Sequence, residues 1–275
     1  MMRLGVLVVL DENIEKKLAE VREMGFAHCQ INVWNMDLYN EDMAQRIEKA
    51  CEENQVRIST LWCGWSGPSK WNFTEGPDTL GLVPVAYRAQ RLEELKKGSD
   101  FAKRLGVANI ATHVGFLPEN PSSKEYQEIV PCLRELCEYC KANGQEFLFE
   151  TGQETPITLL RTIEDIGIGN AGVNLDAANL ILYGKANSVD ALSILGPYIR
   201  NLHAKDGKYP TCGTLLGHET KLGEGDVNFP AFIAKLKSQG YQGDITIERE
   251  ISGEQQRLDI LESKKFLTEL IGEVS

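Results

Sequence analysis

Residues 131–154 read PCLRELCEYCKANGQEFLFETGQE. Leu133, Leu136, Cys137 and Cys140 recur at helical spacing, and the pattern stops at Gly144, where a left-handed helix cap favours glycine. EFLFETG (146–152) follows at once as a short, nearly continuous apolar run, the mark of a strand buried on both faces. That run ends on the carboxylate of Glu150. A lone buried carboxylate is costly unless it is paired, protonated or bound to a cation, so Glu150 needs a partner from elsewhere in the chain.

The same unit recurs on both sides of this stretch. Strands are predicted over 3–10, 28–34, 56–64, 107–115, 146–152, 171–179, 199–207 and 243–250. Amphipathic helical patterns lie between them, for example over 13–25, 41–54, 86–106 and 228–240, and a last one covers 254–272. Gly25, Gly106 and Gly240 end three of these helices as Gly144 ends its own. Strict alternation implies right-handed crossovers and a parallel sheet. Eight units in 275 residues point to a single-domain α/β (β/α)₈ TIM barrel over 1–275, with a doubly wound open sheet as the alternative.

Composition narrows the function. Hydrophobic residues make up 42% and charged residues 25%, the profile of an ordinary soluble protein. The formal charge of −11 argues against nucleic acid as a partner. LGVLVVL (4–10) is too short to cross a membrane and runs straight into charged residues, so it reads as a strand and not as a signal peptide or membrane anchor. The seven cysteines show no zinc-type pairing, and the CxxC of Cys137 and Cys140 reads as helix packing; a cytoplasmic location is expected.

Polar residues gather at the ends of the later strands. They are His113, Glu150, Asp176 with Asn179, His203 with Lys205 and Asp206, and Glu248 with Glu250. In a barrel these tips converge on one mouth, at the face where active sites are built. Two Glu, one Asp and one His form a mixed oxygen and nitrogen donor set suited to one divalent metal ion, Mn²⁺, Mg²⁺ or Co²⁺, with Zn²⁺ also compatible. A cation would also relieve the repulsion of three carboxylates in one pocket. Two long loops, 65–84 and 208–228, follow strands and so lie on the same face as lids or binding loops. Trp34, Trp62, Trp65 and Trp71 can form an apolar wall, and the GEG at 223–225 can offer backbone N–H groups to an anion.

FETGQET (149–155), NLDAANLILYGKAN (174–187), NLHAKDG (201–207), KLGEGDVNF (221–229) and GDITIERE (243–250) resemble the xylose isomerase-like TIM barrel superfamily. The likeness is to its sugar and sugar-phosphate isomerases and epimerases, including ketose 3-epimerases. It implies a metal-dependent enzyme of carbohydrate metabolism, with Glu150, Asp176, His203 and Glu248 as metal ligands. Glu150 and Glu248 would then be the catalytic acid–base pair, working through an enediolate. His113, Asn179, Lys205 and Trp65 would bind a small sugar substrate. Asn179 stands where the family often has a histidine, and strand three lacks the histidine used by the related repair endonucleases. Alternatives on the same barrel are an inosose- or dehydroshikimate-type dehydratase, an abasic-site endonuclease and a non-catalytic sugar-binding barrel. The exposed helices of such a barrel also offer surfaces for a homo-oligomer.

Overall fold

A computed structural model describes residues 2–272, so Met1 and residues 273–275 of the expected domain lie outside the described part. The strands are β1 (Arg3–Val9), β2 (His28–Val33), β3 (Arg57–Cys63), β4 (Asn109–Thr112), β5 (Glu146–Glu150), β6 (Ala171–Asp176), β7 (Ile199–Ala204), β8 (Asp206–Lys208), β9 (His218–Thr220) and β10 (Asp244–Ile247). The helices are α1 (Ile14–Glu23), α2 (Glu41–Asn54), α3 (Gly76–Thr79), α4 (Val85–Arg104), α5 (Lys124–Ala142), α6 (Pro156–Ile166), α7 (Ala177–Leu182), α8 (Ser188–Leu195), α9 (Phe229–Ser238) and α10 (Glu254–Ile271).

Eight parallel strands close in the order β1-β10-β7-β6-β5-β4-β3-β2, which excludes the open sheet. Closure rests on the pairing of β1 with β10, Arg3 opposite Asp244 through Val6 opposite Ile247. At the N-terminal end Asp244 accepts hydrogen bonds from Arg3 Nε (2.8 Å) and Arg57 Nη2 (2.7 Å), tying strands together on the face opposite the mouth. Helices start on side-chain caps where the sequence supplies them: Asn40, Ser123, Thr155 and Asn228 each accept from a backbone N–H of the first turn. Gly106 and Gly144 follow their helices at φ 66° and 75°, as the sequence predicts.

All eight predicted barrel strands are shorter than expected, and four of the differences bear on the mouth. β4 stops at Thr112, so His113 lies just past it. β6 stops at Asp176, whose side chain caps α7, placing Asn179 in the first turn of a helix. The seventh prediction splits into β7 and β8 around Lys205, and β8 forms a small antiparallel hairpin with β9 inside the second loop. β10 stops at Ile247, leaving Glu248, Arg249 and Glu250 on the loop above it.

Neither long loop is loosely held. Arg91 of α4 is fully buried and donates to the carbonyls of Pro68 (2.9 Å), Thr79 (2.8 Å) and Gly81 (2.7 Å), gathering the first loop around one guanidinium. Asp206 does the reverse for the second loop. Its carboxylate accepts from the backbone N–H of Gly207, Gly223, Gly225 and Val227 at 2.8–3.1 Å. No described helix is long and apolar enough to cross a membrane.

Candidate metal centre and substrate cavity

Below the mouth the barrel interior is polar. Asn201 of β7 reaches across it, its Nδ2 3.3 Å from Thr60 Oγ1 and 3.5 Å from both Gln30 Oε1 and Thr246 Oγ1. This layer supports the strand tips that carry Glu150, Asp176, His203 and Glu248. One donor atom from each of those four lies within 4.8 Å of every other. His203 Nδ1 stands 3.0 Å from Glu248 Oε2, 3.3 Å from Glu150 Oε1 and 3.5 Å from Asp176 Oδ2. Donors on opposite sides of an ion held at about 2.0–2.4 Å lie roughly 4–5 Å apart, the scale of this cage.

The donors are held from behind. His203 Nε2 is hydrogen-bonded to the amide oxygen of Gln30, so Nδ1 is the nitrogen left facing the carboxylates. Glu150 Oε2 accepts from Trp62 Nε1 and from Asn174 Nδ2 (3.2 Å), while Oε1 stands 3.3 Å from His113 Nε2. Asp176 Oδ1 accepts the Asn179 N–H at 2.8 Å. Asp176 Oδ2 and His203 Nδ1 are buried and make no hydrogen bond, and the Lys205 ammonium stands 3.3 Å from that carboxylate oxygen. A buried imidazole nitrogen without a hydrogen bond, facing three carboxylates within one cage, fits a divalent cation.

Charge within the cage is finely divided. Burial raises Glu150, but the imidazoles of His203 and His113 outweigh it and hold the carboxyl well below 4.5. Burial lowers His203, and Glu150 and Glu248 more than reverse it, holding the imidazole well above 6.5. Glu248 is raised because burial exceeds the pull of Lys205 and His203.

The substrate-contact residues expected from the sequence divide into two groups. His113 and Asn179 line the cavity over the cage. Lys205 and Trp65 do not line it. Lys205 is 2% exposed, and its ammonium is spent on Asp176 and Glu248 (3.3 Å each) and on Glu250 (2.8 Å), so it is a counter-charge inside the protein. It does not pair with Asp206, which turns into the second loop. Trp65 is 3% exposed and packs behind Trp34 and Trp71, which together with Trp62 form the wall itself. The glycine amides at 223–225 are likewise unavailable to an anion, because Asp206 already takes the N–H groups of Gly223 and Gly225.

Gln30, Asn174, Glu154 and Tyr183 escaped the sequence reading. Gln30 and Asn174 lie within strand runs, and only the cross-barrel register brings them under the cage. Tyr183 lines the cavity just after α7. Glu154 is visible in the GQET that follows β5, but nothing local marks it as buried; it is 2% exposed.

Comparison with known proteins agrees with this architecture. The sequence profile of the xylose isomerase-like TIM barrel family matches residues 18–270. A crystal structure of a xylose isomerase domain protein from Planctomyces limnophilus superposes with a TM-score of 0.92 at 33% identity, covering 98% of this chain and 97% of that one. A D-tagatose 3-epimerase-like protein superposes with a TM-score of 0.76 at 23% identity, over 98% and 97% of the two chains, a likeness of fold. An uncharacterized protein of Methanocaldococcus jannaschii is 27% identical over 198 residues, 67% of this chain; the chain spans 63% of that curated relative's length. With one family profile across most of its length and a relative one-third identical along nearly all of it, this protein belongs to the xylose isomerase-like TIM barrel family.

Proposed function

We propose that this protein is a divalent-metal-dependent sugar isomerase or epimerase acting on a keto-sugar. The observation that carries the reading is the convergence of Glu150, Asp176, His203 Nδ1 and Glu248 on one point, with Glu150, His203 and Glu248 lining a cavity. The D-tagatose 3-epimerase-like protein among the structural relatives is in keeping with it. A cation held by these four residues would draw electron density from a carbonyl oxygen and so acidify the neighbouring C–H bond.

The chain's own groups then handle the proton. Glu150 ends β5 and Glu248 follows β10, two strands that are not neighbours in the barrel. Their carboxylates can therefore address opposite faces of a bound sugar. One takes the C–H proton, leaving an enediolate, and the other returns a proton to the opposite face, which inverts that carbon. Return to the adjacent carbon instead gives aldose–ketose isomerisation. His113, 3.3 Å from Glu150, and the amide of Asn179, 3.4 Å from it, would hold the sugar's hydroxyls over that carboxylate.

Incubation in heavy water with a panel of ketoses and Mn²⁺, Mg²⁺ or Co²⁺ tests the reading. Solvent deuterium is expected at one ring-chain carbon next to the carbonyl, with an epimer or isomer as product. Loss of water without reprotonation would identify a dehydratase, and no exchange with any ketose would overturn proton abstraction altogether.

A further inference from the structure

The cavity above the cage measures about 550 Å³. One six-carbon sugar has the bulk of about six waters, roughly 180 Å³ at ~30 Å³ each, and fills about a third of that space. The unfilled part is not featureless. Its wall carries tryptophans of rising exposure: Trp62 at 3%, hydrogen-bonded to Glu150, then Trp34 at 36% and Trp71 at 40%, with the Trp71 ring also 5.3 Å from that of His113. The ring centroids of Trp34 lie 5.2 Å from Trp62 and 6.5 Å from Trp71, so the indoles form one continuous aromatic strip. Val9, 48% exposed, lines the cavity beside it.

The charges lining this outer chamber disfavour an anion. Arg249 is the one Lys or Arg among the described lining residues, and its guanidinium is already bound to Asp259 and Glu219 at 2.8 Å each. Lys205 is buried among three carboxylates, and Lys208 pairs with Asp226 at 3.0 Å. Glu250, its side chain 56% exposed, adds a further negative charge to the lining. A phosphate here would meet carboxylates and indoles, and the one guanidinium among the described lining residues is already paired.

We infer that the substrate is an uncharged keto-sugar bearing a second ring, a glycoside or disaccharide, whose added ring stacks on Trp34 and Trp71, and not a sugar phosphate. The inference rests on the keto-sugar reading above and adds the class of substrate. Indole faces hold the apolar faces of a sugar or aglycone ring, and the cavity has room for it outside the reacting sugar.

Three ligands that differ at one position give the test: a ketohexose, its 6-phosphate and its 6-O-glucoside, titrated calorimetrically against the Mn²⁺-loaded protein. Fructose, fructose 6-phosphate and isomaltulose form one such set, and tagatose and psicose supply parallel ones. The glucoside is expected to bind about tenfold tighter than the free ketose, in line with one or two aromatic stacking contacts, and the phosphate more weakly than either. Trp71→Ala and Trp34→Ala should each cost the glucoside several-fold more affinity than they cost the free ketose. Tightest binding by the phosphate, equal binding of glucoside and free ketose, or no binding of any set overturns the inference. Deuterium exchange separates the two readings. Exchange without a glucoside advantage removes the substrate class and leaves proton transfer standing, whereas glucoside binding without exchange does the opposite.

Discussion

The amide oxygen of Gln30 on β2 accepts a hydrogen bond from Nε2 of His203 on β7, across the barrel, and so leaves Nδ1 facing Glu150, Asp176 and Glu248. Ligand imidazoles held by such an outer partner lose about 10–100-fold in metal affinity when the partner is removed. Gln30→Leu, which keeps the bulk and removes the acceptor, should weaken Mn²⁺ binding by about that factor. Titration followed by electron paramagnetic resonance measures it, and wild-type affinity would remove Gln30 from the site.

Glu150→Gln and Glu248→Gln each replace a carboxylate by a group that cannot take up a proton. General acid–base groups typically contribute about 10²–10⁴-fold, and both residues also face the cation position, so turnover should fall by at least that range. Circular dichroism should be close to wild type. A variant that keeps more than about a tenth of the wild-type rate would not fit an acid–base pair.

Asp206 and Gly225 hold the second loop as a unit. The N–H of Gly225 donates to Asp206 Oδ2 at 3.0 Å, and a Cβ at Gly225 would stand 1.9 Å from Oδ1 of the same carboxylate. Asp206→Ala strands four loop N–H groups, and orphaned buried donors cost about 1–3 kcal/mol each. The expected loss is at least ~3 kcal/mol in denaturant unfolding, with new protease cleavage between 208 and 228. Gly225→Ala should act in the same direction through steric displacement. Unchanged stability together with protease resistance would show that the carboxylate does not organise the loop.

Glu154 gives a pH signature. Burial, only partly opposed by His113, pushes its carboxyl up from 4.5 to about 7. The folded protein therefore holds a proton that the unfolded chain has already released between those values. Its contribution to stability is fully present below about 4.5 and is lost as pH rises through 7. The cost by pH 8 is on the order of 3 kcal/mol. Glu154→Gln, neutral at every pH, should match wild type at pH 4.5 and exceed it by about that amount at pH 8. Parallel unfolding curves at both pH values would contradict a buried neutral carboxyl.

How much was legible follows the range of the interaction concerned. Strand and helix order, the glycine stops and the run of polar tips after β4, β5, β6, β7 and β10 come from patterns a few residues long, and the fold keeps them. Lys205 shows where such reading stops. As a sequence it is a strand-end cation free to meet substrate; in the fold Asp176, Glu248 and Glu250 surround it. Trp65 and Trp71 are equivalent as letters, yet one is a backing and the other the wall, because Arg91 draws their loop around itself.

By itself, then, the sequence determined that eight strand–helix units would form and that Glu150 would need a partner, since hydrophobic period and burial cost act locally. Tertiary structure alone decided that β1 closes on β10, that Gln30 sets the free nitrogen of His203, and that Asp206 takes the glycine amides for itself. These outcomes join residues far apart in the chain, whose proximity depends on barrel register and loop anchoring, and no window of neighbouring residues contains that information.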